Sequence, residues 1–366
     1  MALEALERRR MFSPFIMALN SLADESKPVS EAALRHLSGP SREEIRLFHE
    51  RFPTLSAARR REIITRLVDM AEENALLDYV DLLRGCLGDP DAIVRRQAIE
   101  GLWECLHHDL IAPLLRILAS DPDSAVRAAA ATSLGRYIYL GECDELDERR
   151  VQPIRDLLLK IANDPQEDIE VARRAIESLA YINTDEIRRL IDRAYTHGDP
   201  RMRESALFAM GRSADRFWSE TVLGDLHDPS PAIRYEAARA TGELHLRRAV
   251  SRLIELADDT DREVQEMAIW ALGQIGGKRA RQALEAWAEG NDEVKAEAAS
   301  AALEEIEFSD FSFDMFLFDP QDARMVEVSL EPSDEEDEED EDNLDAEDDL
   351  DEGDQEEWPD EFLDLL

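Results

Sequence analysis

A chain of 366 residues with 84 Asp and Glu against 42 Lys and Arg carries a formal net charge of −42. Charged residues make up 34% and hydrophobic residues 44%, against about 25% charged in an average soluble domain. This balance argues against phosphate-driven nucleic-acid binding, which needs a positive footprint. No apolar run reaches the roughly 18 residues of a membrane span.

The N-terminus reads Arg8-Arg9-Arg10 and then an apolar stretch from Met11 to Leu19, interrupted by Pro14. The interruption favours a docking helix over a secretory signal. Residues 1–75 are helical in pattern, punctuated by Pro28, Gly39-Pro40 and Pro53. Arg60 to Glu73 has the spacing of a degenerate first repeat, as suits a cap on an array.

From residue 76 to 306 one pattern recurs. Asp89-Pro90 leads to Val94-Arg95, Ala98 and Leu102; Asp121-Pro122 leads to Val126-Arg127, Ala130 and Leu134. Further anchors follow at Val171, Met202, Ile233, Val264 and Val294, each but Val171 about 30–32 residues after the last. Anchor, Ala four residues on and a Leu-type residue eight on share one helical face. Asp-Pro is expected to start that helix: the Asp side chain caps it and Pro fits its first turn. The Arg six residues after the Asp is expected to bridge neighbouring repeats. A second amphipathic helix precedes each of these, for example Ile187, Leu190-Ile191 and Ala194. One pair cannot bury both its faces, so the pairs must stack. The long step from Val126 to Val171 marks an insertion between Tyr139 and Val151, expected as an acidic loop projecting from one edge.

The Asp-Pro…Val-Arg…Ala…Leu pattern resembles HEAT repeats, of the short bacterial type found in phycobilisome-lyase HEAT-like proteins. The resemblance implies a right-handed, all-α solenoid of stacked helix-turn-helix repeats, about seven in number, over 76–306. It carries little about function, since the family spans scaffolds, lyase subunits and enzymes.

Residues 307–330 are rich in Phe and are expected as an extended strap. From Met325 onward the chain holds 23 acidic and no basic residues. That density predicts a disordered acidic tail over 331–366. Its end regains Trp358, Phe362, Leu363, Leu365 and Leu366, which suits either folding onto a partner, the chain's own repeats included, or a plain solubilising role.

Catalytic signals are sparse. Gly-rich phosphate loops, Gly-x-Ser-x-Gly and His-Glu-x-x-His are missing. Deoxyhypusine hydroxylases resemble this chain in architecture, but that family needs repeated His-Glu pairs, and His49-Glu50 stands alone. A HEAT-like DNA glycosylase would need a basic concave face. Cys105, His107, His108 and Asp109 are metal-capable types in a loop setting. The three cysteines, Cys86, Cys105 and Cys143, form no CxxC pair and fit a reducing, cytoplasmic compartment. No catalytic residue, metal or cofactor is expected.

Helical geometry points positions three, six and ten after each anchor away from the buried stripe. The middle repeats place Arg136, Arg174, Arg212 and Arg239 there beside Tyr181, Phe208, Met267 and Trp270. Arginine with aromatics is the chemistry of a protein-binding hot spot, although Phe208 and Trp270 could instead pack on the neighbouring helix. The expectation is a monomeric scaffold that binds a protein partner on its concave face, with a tail for a basic partner or for self-masking, and binds neither nucleic acid nor membrane. The alternative is a bilin lyase-like subunit.

Overall fold

The computed structural model describes residues 13–316, with side-chain surroundings described through 308. The chain divides into two units, Met1–Asp310 and Phe311–Leu366, and the repeats lie in the first except for the end of the last helix. Eighteen α-helices and four short 3-10 segments, and no strand, occur among the described residues. The anticipated tail, with Trp358, Phe362, Leu363, Leu365 and Leu366, lies outside them.

Four helices open the array: α1 (Pro14–Ala23), α2 (Glu31–Arg35), α3 (Arg42–Arg51) and α4 (Ala57–Glu73). Pro14 takes the first turn of α1, where its missing donor costs nothing. Phe15, Ala18, Leu19 and Leu22 are buried. Arg59 of α4 donates to the Asp24 and Lys27 carbonyls at 2.7 and 2.5 Å, which ties this N-terminal segment down.

Seven helix pairs follow. They are α5–α6 (Val80–Cys86, Ala92–Glu100), α7–α8 (Ile111–Ser120, Ser124–Glu142), α9–α10 (Glu148–Ala162, Ile169–Leu179) and α11–α12 (Asp185–Tyr195, Pro200–Arg212). After them come α13–α14 (Ser219–Asp225, Pro231–Glu243), α15–α16 (Val250–Leu256, Arg262–Ile275) and α17–α18 (Gly277–Ala288, Glu293–Phe316). From α4 to α16, each second helix packs on the second helix of the next pair as well as on its own partner. Among the described residues the principal helix–helix contacts therefore join neighbouring pairs in a stack, as in a helical solenoid.

The repeat pattern explains the core. Val94, Val126, Val171, Met202, Ile233 and Val264 are buried, as are Ala98, Ala130, Ala175, Ala206, Ala237 and Ala268. Val294 departs from this and is 39% exposed; among the described residues no further pair follows to cover it. A glycine stands nine residues after several anchors, and there successive second helices touch. A Cβ at Gly242 would lie 3.0 Å from the Ala271 Cα and 2.8 Å from the Trp270 ring; one at Gly135 would lie 3.0 Å from the Ser178 Cα.

The turns hold a correction. Asp89, Asp121, Asp164, Asp228 and Asp259 each accept from the amide two residues on, at 2.8–3.0 Å. They make Asx turns, and most of these helices start later, capped by Asp91, Asp123, Asp168 or Asp261. Only at Asp199-Pro200 does the Asp-Pro pair itself open the helix among these turns. The anticipated arginine ladder is present. Arg95 grips the Asp121 carboxylate with two bonds of 2.7 Å while donating to the Asp89 carbonyl of its own turn at 2.8 Å. Arg234 does the same to Asp259 and the Asp228 carbonyl. Arg60 reaches Asp89, and Arg203 reaches Asp225 and Asp228. Ala172 holds the equivalent place in the third pair and leaves a gap.

Two further expectations change. The insertion before Val171 lengthens both helices around it, to 19 residues in α8 and 15 in α9. The loop is only 143–147, and Leu146 within it is buried. The backbone stays helical to Phe316, so the first part of the expected extended strap continues α18. Phe308, Phe311 and Met315 also fit helical spacing of three and four.

Burial raises the carboxyls of Asp121 and Asp259, but the Arg95 and Arg234 guanidiniums and local amides outweigh it and hold both below the ordinary range. Their contribution is present above the unfolded value of about 3.9 and is lost as pH falls through the lower folded value. Asp259→Asn should therefore lower stability at pH 7 by about 3–5 kcal/mol and flatten the loss as pH falls below about 4, as read by urea unfolding across pH. Gly242→Val should cost about 2–3 kcal/mol through overpacking, seen as a lower urea midpoint with unchanged helix content.

Candidate functional site

The second helices of neighbouring pairs present a continuous face, and a groove of about 490 Å³ lies on it. Its lining comes from α4, from the four second helices that follow it, and from the turns after α6 and α10. Glu72 is from α4, Ile99, Glu100 and Trp103 from the α6 region, Arg136 from α8, Tyr181 from the end of α10, and Phe208 from α12. The lining is mostly apolar, with a few polar groups converging on it, as side-chain and ligand pockets are.

Of the anticipated residues, Arg136, Tyr181 and Phe208 meet in this groove. Arg174, Arg212, Arg239, Met267 and Trp270 are outside its lining. Three of these arginines are already engaged. Arg174 pairs with Glu170 at 2.8 Å and Glu177 at 2.6 Å. Arg239 is 8% exposed and pairs with Glu236 at 2.9 Å and Glu243 at 2.7 Å. Arg212 shares Glu243 at 3.3 Å. The Phe208 ring lies under Arg239, with Cζ 3.9 Å from its centroid, and Arg212 is at 5.5 Å. Burial pushes Glu236 and Glu243 above the usual carboxylate range despite these partners. Met267 packs against the core, and Trp270 leans over Gly242 of the preceding second helix, α14.

Arg136 differs from the other three. It has no carboxylate partner among the described residues. Its Nη2 donates to the Cys105 carbonyl at 3.3 Å, and its Nε is buried with no partner. Burial pulls this guanidinium below its ordinary value.

The sequence reading missed Trp103. It sits nine residues after Val94, where Gly135, Gly211, Gly242 and Gly273 stand in other repeats. Helix α6 ends at Glu100, and the indole is 53% exposed at the groove. A tryptophan replacing a glycine in the repeat frame was the available signal. Tyr139, 50% exposed, packs against Tyr181 with the rings tilted by 58° and their centroids 5.2 Å apart, and extends the aromatic surface.

The metal-capable loop residues are used locally. Asp109 pairs with Arg84, and Tyr137 Oη donates to the His107 carbonyl at 3.1 Å. Among the described residues no cluster of three or more His, Cys, Asp or Glu is placed to hold a metal ion. No helix among them is long and apolar enough to cross a membrane. Cys86 and Cys105 are buried free thiols, and burial pushes Cys86 up to about 12.

No curated protein matches this chain. Among solved structures, the complex of CpcE and CpcF of phycocyanin lyase from Nostoc sp. PCC7120 is similar over 77% of this chain and 98% of that one, at 18% identity and a TM-score of 0.46. Human deoxyhypusine hydroxylase is similar over 73% and 96%, at 18% identity and 0.32. The Kap95:Nup1 complex is similar over 82% of this chain and 46% of that one, at 15% identity and 0.45. The family model for HEAT repeats matches residues 80–165 and 219–304, which covers five of the seven helix pairs in whole or large part and the first helix of a sixth. The same paired helices and buried anchors continue between the two matches, and residues 80–304 form one array of HEAT-like repeats.

Proposed function

We propose that this protein is a non-catalytic adaptor that holds a protein partner on the face formed by its second helices. One observation carries the reading: Trp103, half exposed, lines one groove with Tyr181 and Phe208, and the half-exposed Tyr139 packs against Tyr181. Large aromatics presented at a groove by a packed helical scaffold are the usual anchors of protein recognition, because they bury much area for little lost side-chain freedom. The groove crosses successive repeats, so an extended partner segment would be read by several pairs at once. The acidic segment 331–366 adds charge suited to a basic partner. Buried free thiols suit a reducing compartment, and we place the protein in the cytoplasm.

The test is affinity capture from native extract with the full chain and with Trp103→Ala and Tyr181→Ala variants. Trp103 is exposed enough that its loss should change stability by no more than about 0.5 kcal/mol. The expected result is a partner retained by the parent and lost from both variants, with unfolding midpoints unchanged for Trp103→Ala. Identical retention by all three proteins would move the binding surface elsewhere.

A further inference from the structure

We infer that Arg136 is the specificity-determining residue of the groove, and that it takes a carboxylate from a linear partner segment in which Asp or Glu is flanked by large apolar side chains. The inference rests on the binding reading above and adds the partner's chemistry to it.

Four arginines were candidates on this face, and the structure separates them. Arg174, Arg212 and Arg239 spend their charge on Glu170, Glu177, Glu236 and Glu243. Arg136 has one long bond to a carbonyl and an unpartnered, buried Nε. The Glu104 charge acts on Arg136 from nearby but forms no ion pair with it, and a guanidinium held part-way out of water without a bonded counter-charge is poorly solvated. A carboxylate would supply a short, charge-assisted and bidentate contact in its place. Trp103, Tyr181 and Phe208 line the same groove and offer surfaces for neighbouring apolar side chains.

The surrounding charges select against other anions. Glu72, Glu100 and Glu177 also line the groove. Burial and the nearby Glu72 charge push Glu100 above its ordinary value, in spite of Arg96. A polyphosphate backbone would bring several charges against these acids and meet one cation. A single carboxylate in an apolar sequence meets Arg136 and keeps its distance from the rest. Glu72 and Glu100 leave a basic segment as the competing occupant, and the experiment separates the two.

The probes are three fluorescein-labelled synthetic dodecapeptides, identical except that Glu, Gln or Lys is spaced between Trp and Leu. Binding to the full chain is read by fluorescence anisotropy at about 0.15 M salt, where a screening length of about 8 Å removes most long-range repulsion by the acidic chain. The parent should bind the Glu peptide about tenfold more tightly than the Gln peptide, the difference of one charge-assisted contact. Arg136→Gln should erase that difference, and Arg136→Glu should reverse the order in favour of the Lys peptide. Arg189→Gln, on the first helix α11, should change nothing. Circular dichroism and urea midpoints establish that the variants fold, and two variants of opposite design guard against one failing to do so. Equal binding of the Glu and Gln peptides, preference of the parent for Lys, or an order unmoved by Arg136→Glu overturns the inference while leaving groove binding intact. Failure of all three peptides to bind, or binding unaffected by Trp103→Ala, overturns the groove reading as well.

Discussion

An arginine shared between two turns sets the spacing of this array. Arg95 holds the Asp89 carbonyl of its own turn with one nitrogen and the Asp121 carboxylate of the next pair with two others. Arg234 repeats the arrangement with Asp228 and Asp259. Each Asp in turn fixes its own backbone through an Asx bond. Both partners are largely buried, with side chains 11% and 6% exposed for Arg95 and Asp121. Desolvation consumes much of the Coulomb gain of such a pair, so its net worth is modest, but breaking it strands a charge. The ladder thus penalises any slip of one pair against the next more than it adds to stability. Hydrophobic faces of Val, Ala and Leu would tolerate a small slide; a forked guanidinium over a carboxylate does not.

The second constraint is closeness. Small residues nine positions after the anchor let second helices approach until backbone meets side chain, as Gly135 meets Ser178 and Gly242 meets Ala271. Where Trp103 occupies that position, α6 has already ended and the indole stands out from the stack. The groove forms at this irregularity and runs on past Arg136 and Tyr181 to Phe208. A repeat array is uniform by construction, so a site on it has to come from departures from the repeat. The tryptophan in a glycine position is one, and the arginine without a glutamate is another.

Much of the fold was legible because its causes are local. Six of the seven anchors, their alanines and the arginine ladder follow from periodicity and from Asp-to-Arg spacing. The helix starts were misplaced by two residues because an Asx turn and an N-cap use the same side chain in similar ways. Asp91, Asp123 and Asp261 were the available sign. The insertion reads as a loop because its charges are dense, yet its start continues α8 and its end begins α9, a helix whose buried face of Val151, Ile154 and Leu158 lies just beyond it. The site was half legible. Helical angles placed Arg136, Tyr181 and Phe208 on one face, but they cannot show which glutamate reaches which arginine. That depends on side-chain lengths across a helix–helix gap, as with Arg212 of α12 reaching Glu243 of α14.

In a chain with twice as many acids as bases, an arginine on a shared face tends to find a carboxylate by proximity alone. Arg174 takes two from its own helix, at three and four residues' distance, and Arg239 does the same. Arg136 has small or neutral neighbours at the corresponding places: Thr132 and Ser133 before it, Tyr139 and Leu140 after it. The sequence therefore withholds from this arginine the partners it gives to the others. Placing an acid at 132 or 140 would have solvated the guanidinium at almost no cost, since such helical pairs contribute only about 0.2–0.5 kcal/mol. Leaving it unpaired beside Trp103 keeps the cation available to a group from outside the chain, and makes the charge balance of the groove depend on what occupies it.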